Sequence, residues 1–291
     1  MQRANVGVIG VGAMGMAMAR NLHAKGWRVW ARDVRPEADA EARAAGLSVC
    51  TSAQALVAQV EIVIIVVVDA PQIDAVLFGR AGVVHASAGA KTVMLCSTIA
   101  PQETQRFAAR LADHGIATID APISGGPARA LAGTMSTMLA APAATLAPWQ
   151  ALLADLADKR FVVSEAIGDA AKAKLVNNLL AGIHLVAGAE ALALSAKIGL
   201  DPRAVYEIVN ASSGASWMFE DRMARALVEA YHPARAATHI LTKDMGLATA
   251  LAASAAHETP LGDAALAKLR ETVARGWGTL DDAAVIKTYQ G

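Results

Sequence analysis

The first half of the chain alternates short apolar runs with longer amphipathic stretches. Runs rich in β-branched residues fall at Asn5–Ile9, Trp27–Trp30, Ile62–Val68, Thr92–Leu95 and Ala117–Ile119. Between them, segments such as Met14–Lys25 and Gln102–His114 repeat their apolar positions at three- and four-residue spacing, the period of a helix with one buried face. Strands that alternate with helices predict a parallel sheet covered on both sides. Phe161–Ser164 reads as the last short strand of that region. Beyond Gly168 the texture changes, and Ala171–Ile198, Pro202–Asn210, Ser216–Ala230 and His239–Ala256 all carry helical periodicity. Gly199-Leu200-Asp201-Pro202 punctuates this half with a glycine suited to end one helix, an aspartate suited to cap the next and a proline suited to its first turn. The expected plan is an α/β domain with a doubly wound sheet over residues 1–165 and an all-helical domain over residues 166–291, joined by a long helix that begins near Ala170.

Composition narrows what such a protein does. Of 291 residues, 55% are hydrophobic and 18% charged, which supplies a sizeable core and excludes intrinsic disorder. The 26 basic and 26 acidic side chains cancel, so the basic footprint of a nucleic-acid binder is missing. Two cysteines, Cys50 and Cys96, make neither a disulfide scaffold nor a metal-ligand spacing and suit a reducing cytoplasm. The N-terminal segment lacks the pattern of a targeting peptide. The densest apolar run, Ile62–Val68, has strand length, far below the roughly 20 residues a membrane-spanning helix needs. Leu179–Ala196 is long enough but contains His184 and Glu190, and reads as a helix buried between domains. It is apolar on more than one face, so a homodimer or homotetramer held by the helical domain is expected, without a membrane partner.

The chemistry begins at Val6-Gly7-Val8-Ile9-Gly10-Val11-Gly12-Ala13-Met14-Gly15, a strand followed by G-x-G-x-x-G and the start of a helix. Gly10 makes the tight turn, Gly12 lets the backbone at Ala13 and Met14 approach a pyrophosphate, and Gly15 lets helix and strand pack closely. That context is the fingerprint of a Rossmann-type dinucleotide site. The acid that meets the adenosine ribose should follow about 20 residues later, and Asp33 stands there. A carboxylate accepts from the ribose hydroxyls and repels a 2′-phosphate, which points to NAD as the cofactor. Arg32 and Arg35 flank it and pull toward NADP unless they form a solvated loop edge, the reading preferred from the sequence.

Three further segments carry a resemblance: Asp120-Ala121-Pro122-Ile123-Ser124-Gly125-Gly126, Gly168 followed by Lys174-x-x-Asn177-Asn178, and Lys243-Asp244-Met245-Gly246. With the phosphate loop, in this order and spacing, they resemble the β-hydroxyacid dehydrogenase family, of the 3-hydroxyisobutyrate dehydrogenase kind, across essentially the whole chain. The resemblance implies an NAD-dependent oxidoreductase whose acid/base is Lys174. Asn178, one helical turn on, would hold the substrate, whereas Lys172 faces elsewhere. Alcohol oxidation requires removal of the hydroxyl proton, work that suits a partly buried lysine. Ser124 with the amides of Gly125 and Gly126 resembles the cradle for the substrate carboxylate. Lys243 resembles the lysine that reaches the cofactor from the helical domain, while Asp244 reads as a capping or structural residue. Thr98, in Ser97-Thr98-Ile99, would lie near the nicotinamide ribose. Val68 lies in a cofactor-contact segment, Val67-Val68-Asp69, that departs from the family's usual M-L-P.

Two local signatures look like the branch of that family that acts on L-threonate. One is the basic residue Arg129 in Pro127-Ala128-Arg129-Ala130. The other is Gly214-Ala215-Ser216-Trp217-Met218-Phe219-Glu220-Asp221-Arg222, which would line the substrate side of the cleft. Ser212, Ser213 and Ser216 would pair with the extra hydroxyls of a four-carbon sugar acid, while at least two of Trp217, Met218 and Phe219 suit a core stripe. Alternatives are oxidation of 3-hydroxyisobutyrate or reduction of tartronate or succinic semialdehyde. Imine reductases share the architecture but generally lack the lysine, so Lys174 speaks against them. It speaks equally against a non-catalytic cofactor-binding module.

Overall fold

The structure is a computed structural model that describes residues 3–290. It divides into two compact units, Met1–Lys174 and Leu175–Gly291, with the division inside one long helix. The first unit runs β1 (Asn5–Ile9), α1 (Ala13–Ala24), β2 (Arg28–Arg32), α2 (Pro36–Ala44), β3 (Ser48–Val49), α3 (Ala53–Val57), β4 (Ile62–Ile65), α4 (Ala70–Phe78), β5 (Thr92–Leu95), α5 (Pro101–Ala112) and β6 (Ala117–Asp120). It continues through β7 (Ile123–Ser124), α6 (Gly126–Ala132), β8 (Met135–Ala140), α7 (Ala143–Leu146), α8 (Gln150–Leu156) and β9 (Ala157–Ser164) into α9 (Asp169–Lys197).

The sheet order is β3-β2-β1-β4-β5-β6-β8-β7, with β9 paired to β8. From β3 to β6 every pairing is parallel, so this part of the sheet is doubly wound as expected. Its central strands are buried on both faces. Ile62 and Ile64 of β4 enter one apolar cluster with Met18 and Leu22 of α1, while Val63 and Ile65 enter another with Phe107 and Leu111 of α5. This is why β4 reads as an unbroken apolar run rather than an alternation.

Three sequence expectations change. Val66–Val68 leave the sheet although they continue the β-branched run, because β4 ends at Ile65 and Asp69 caps α4 by accepting from the Gln72 amide at 2.9 Å. The last strand begins at Ala157, four residues before Phe161, because β8 supplies a ladder for its polar first half. The sheet is also not wholly parallel, since β8 runs antiparallel to β6 and β7.

The second unit is helical: the rest of α9, then α10 (Pro202–Asn210), α11 (Trp217–Ala226), α12 (Thr238–Ser254), α13 (Pro260–Thr272) and a closing 3₁₀ segment, Asp282–Thr288. Leu185, Ala189 and Leu192 of α9 pack with Met218, Phe219, Met223, Met245, Leu269 and Val285 in its core. The punctuation behaves as read: Gly199 adopts φ +84°, and Asp201 accepts from the Arg203 amide at the start of α10. Length and composition alone would let α9 cross a membrane, yet its Leu175, Leu185, Ala189 and Leu192 are buried. Val176, Leu180 and Leu194 on the same helix are exposed.

Candidate active site

Most candidate residues of the first unit fall at the carboxyl ends of five neighbouring strands. Gly10–Gly15 follow β1, Asp33 follows β2, Val68 follows β4, Thr98 follows β5 and Ser124 follows β6. Strand order reverses between β1 and β4, and ligands of open α/β sheets bind in the crevice outside such a reversal. The phosphate loop fits a dinucleotide by shape. Gly10 adopts φ +89°, and a Cβ there would lie 2.4 Å from the Val66 carbonyl oxygen. A Cβ on Gly15 would lie 1.9 Å from the Gly10 carbonyl oxygen, so α1 and β1 approach more closely than any larger residue allows. Gly12, the N-cap of α1, has no side chain to offer the first-turn amides, which leaves them for an external anion.

The acid after β2 is not bare. Asp33 is buried, and its Oδ1 accepts from the backbone N–H and Nε of Arg35, both at 3.0 Å, with Nη2 at 3.3 Å from Oδ2. Arg32 donates to Asp39 Oδ2 at 2.6 Å, and Asp39 Oδ1 accepts from the Asp33 amide at 2.8 Å. Both arginines are therefore paired with carboxylates, Arg32 half-buried and Arg35 at a solvent-exposed edge as expected. Arg35 also reaches the phosphate loop, with Nη2 3.6 Å from where a Cβ on Gly12 would stand. A cavity of about 410 Å³ joins Gly12, Ala13 and Arg35 to Pro127 and Ala128 of α6, so the phosphate loop and the segment after Gly126 share one space.

The remaining loops are held as follows. The Val68 amide donates to Gln72 Oε1 at 3.0 Å, and the Val67 amide to Ser97 Oγ at 3.1 Å, beside half-buried Thr98. Ser124 pairs with Ser136 across β7 and β8. Gly125 and Gly126 both adopt positive φ, and a Cβ on Gly125 would meet the aliphatic stem of Arg129 at 3.0 Å. Lys174, in the second turn of α9, is only 7% exposed. Lys172 is paired instead with Asp169 at 2.7 Å on the exposed side.

In the second unit, buried Asn178 donates to Asp244 Oδ2 at 2.8 Å, and its own Oδ1 accepts from Asn177 at 3.0 Å. Lys243 meets Asp244 Oδ1 at 2.7 Å. Asp244 is therefore no cap: from within α12 it links Asn178 to Lys243. Ser216 is the N-cap of α11, accepting from the Phe219 amide at 3.0 Å. Trp217 is 42% exposed with the Arg222 guanidinium 5.3 Å over its ring, whereas Met218 and Phe219 enter the core. Arg222 donates to buried Asp282 at 2.7 Å, so the end of that motif serves the fold.

Comparison with known proteins agrees with this geometry. The model for the NAD-binding domain of 6-phosphogluconate dehydrogenase matches residues 5–167. The model described as the NAD-binding region of NADP-dependent 3-hydroxyisobutyrate dehydrogenase matches residues 168–289. L-threonate dehydrogenase of Cupriavidus necator is 39% identical over 287 residues, covering 99% of this chain and 96% of the relative. L-threonate dehydrogenase of Pectobacterium atrosepticum is 36% identical, covering 98% of this chain and 94% of the relative. The crystal structure of 3-hydroxyisobutyrate dehydrogenase from Salmonella typhimurium superposes with a TM-score of 0.92 at 35% identity, covering 98% and 100% of the two chains. Matched along both of its units, the chain belongs to the 3-hydroxyisobutyrate dehydrogenase family of the β-hydroxyacid dehydrogenases and is an NAD-binding oxidoreductase that acts on the CH–OH group of a hydroxy acid.

Proposed function

We propose that the protein oxidises a four-carbon sugar acid of the L-threonate type, with Lys174 as the acid/base. One observation carries the reading: Lys174 and Asn178, both below a tenth exposed, stand at positions i and i+4 of an apolar helix. Burying such groups costs free energy, and they are found where chemistry uses them. Relatives named L-threonate dehydrogenase support the substrate. Bound outside the sheet, NAD supplies the hydride acceptor. The chain's own residues do the rest. Gly10, Gly12, Ala13, Met14 and Gly15 hold the pyrophosphate, Asp33 the adenosine ribose, and Val68, Thr98 and Lys243 further parts of the cofactor. Ser124, Gly125 and Gly126 donate to the substrate carboxylate, with Arg129 as a charge partner at the edge. Lys174 removes the hydroxyl proton, Asn178 orients the hydroxyl, and Ser216 and Trp217 border the distal carbons. A screen of C3–C6 hydroxy and aldonic acids with NAD and NADP tests the assignment, and no turnover of any dihydroxy or trihydroxy acid refutes it.

Cofactor choice turns on the Asp33–Arg35 pair. Asp33→Ala removes a ribose acceptor and releases the guanidinium, which then suits a 2′-phosphate. Its KM for NAD should rise by about tenfold, the size of one lost charge-assisted hydrogen bond. Its kcat/KM for NADP should rise as well. Adding Arg35→Ala to that variant should abolish the gain. Equal use of both cofactors by the unmutated protein would show that Asp33 does not discriminate.

The reading extends to assembly. Exposed Val176, Leu180 and Leu194 on α9 are covered by a second copy in a cytoplasmic dimer or tetramer. Light scattering at micromolar concentration should give at least twice the 30.0 kDa chain mass, and a monomer mass contradicts the assignment.

A further inference from the structure

Asp120 closes β6 and is 2% exposed, in a position where a carboxylate needs a reason. Its Oδ2 accepts from the backbone amides of Gly168 at 2.9 Å and Ala171 at 3.1 Å. Those amides belong to the turn that opens α9, whose second turn carries Lys174. From the end of β6 the chain passes through Ala121 and Pro122 into β7 and Ser124, so one carboxylate stands between the segment proposed for the substrate acid and the helix proposed for the base. A second clamp acts on the same turn. Gln105 of α5 donates to the Ile167 carbonyl at 3.1 Å, and a Cβ on Gly168, which adopts φ +100°, would lie 2.9 Å from Gln105 Nε2. The turn is thus fixed from two elements remote in sequence.

We propose that Asp120 is a positioning residue: its carboxylate ties the strand that leads into the Ser124 loop to the first turn of the Lys174 helix and holds the two in one register. The proposal rests on the reading of Lys174 and Ser124 given above. An anionic carboxylate suits this place twice, because it accepts strong hydrogen bonds from two amides and meets the positive end of the α9 dipole. Around it stand the Cys96 thiol beside the end of β5 and Asp169 on α9, the latter turned toward Ser164 and Lys172. Burial pushes the Asp120 carboxyl up to about 6, against the opposing pull of the backbone amides. Because the carboxyl binds its proton more tightly here than in water, protonation below that pH favours the closed turn over an opened one.

The test is amide hydrogen exchange on the full-length protein at pH 5 and pH 7.5, corrected for intrinsic exchange, with Asp120→Ala alongside. Protection at Gly168 and Ala171 should rise about tenfold from pH 7.5 to pH 5, the sign set by a carboxyl that binds its proton more tightly in the closed turn than in water. In Asp120→Ala, which removes the acceptor, it should be low at both pH values with no such rise, while α1 and β4 stay protected. At pH 7.5 that variant should also lose kcat by more than tenfold with the Kd for NAD unchanged, the split expected of a displaced base. Unchanged protection at Gly168 and Ala171 in the variant overturns the proposal, as does a loss spread evenly over the first unit. Should the variant fail to fold, the wild-type comparison decides alone, and equal protection at the two pH values overturns it. The exchange readout contains no chemistry, so it fails or succeeds independently of whether Lys174 is the base.

Discussion

Lys174→Ala should lower kcat for hydroxy-acid oxidation by about 10²–10⁴-fold, the range for removing a general acid/base. The Kd for NAD should stay within about twofold, because the phosphate loop and Asp33 lie at other strand ends and are untouched. The expectation follows from burial: a side chain 7% exposed, on a helix whose start is fixed by Asp120, has little freedom to be replaced by water or by a neighbour. Lys172, two residues earlier and paired with Asp169, faces solvent and cannot substitute. Lys174→Arg separates charge from proton transfer. A guanidinium keeps the positive charge but stays protonated, so it cannot accept the proton, and the variant should be nearly as slow as alanine. Pre-steady-state turnover with NAD measures both, and rates within a few-fold of the unmutated protein would remove Lys174 from the mechanism.

What the sequence revealed and what it hid follow a physical line. The phosphate loop was legible because its glycines answer local demands: a positive φ at Gly10 and a helix–strand contact at Gly15 that excludes a Cβ. Lys174 and Asn178 were legible as a pair because i and i+4 share a helix face, whatever the rest of the fold does. Strand β8 was not. Its residues, Met-Ser-Thr-Met-Leu-Ala, show no strong β-branched signal, and the segment is a strand because β6, β7 and β9 pair with it. Val66–Val68 misled in the opposite sense, being β-branched residues drawn out of the sheet at the strand reversal by Ser97 and Gln72. The ties of Asp120 to Gly168 and of Asn178 to Asp244 join residues 48 and 66 positions apart, so no local pattern contains them. Asp244 stood beside Lys243 in the motif, yet only tertiary structure distinguishes a helix-capping acid from one that sets the orientation of an amide. The pairing of Arg35 was hidden likewise, since a flanking arginine and an arginine paired with a buried aspartate read the same in sequence.

Threonate should be preferred over 3-hydroxyisobutyrate by kcat/KM on the order of 10³-fold or more, with NAD at fixed pH. Unpaired polar groups set the difference. A pocket built to bond hydroxyls leaves its own donors and acceptors desolvated when a methyl arrives instead, and that penalty exceeds what a missing contact alone would cost. Threonate carries three hydroxyls along its chain, whereas 3-hydroxyisobutyrate offers one hydroxyl and a methyl branch. Arg129 and Ser216 are where the difference should register. Arg129→Ala should raise KM for threonate and leave 3-hydroxyisobutyrate nearly unaffected, if the guanidinium answers the larger, more polar acid. Ser216 needs a gentler probe, because its oxygen caps α11 and alanine would cost about 1 kcal/mol of stability for that reason alone. Ser216→Thr keeps the cap and adds a methyl toward the proposed distal site, so a KM effect without a shift in melting temperature would mark contact with substrate rather than loss of the cap. Equal or better turnover of 3-hydroxyisobutyrate would make the likeness at Arg129 and Trp217 a matter of ancestry without consequence for substrate. The protein would then be an ordinary enzyme of the 3-hydroxyisobutyrate type.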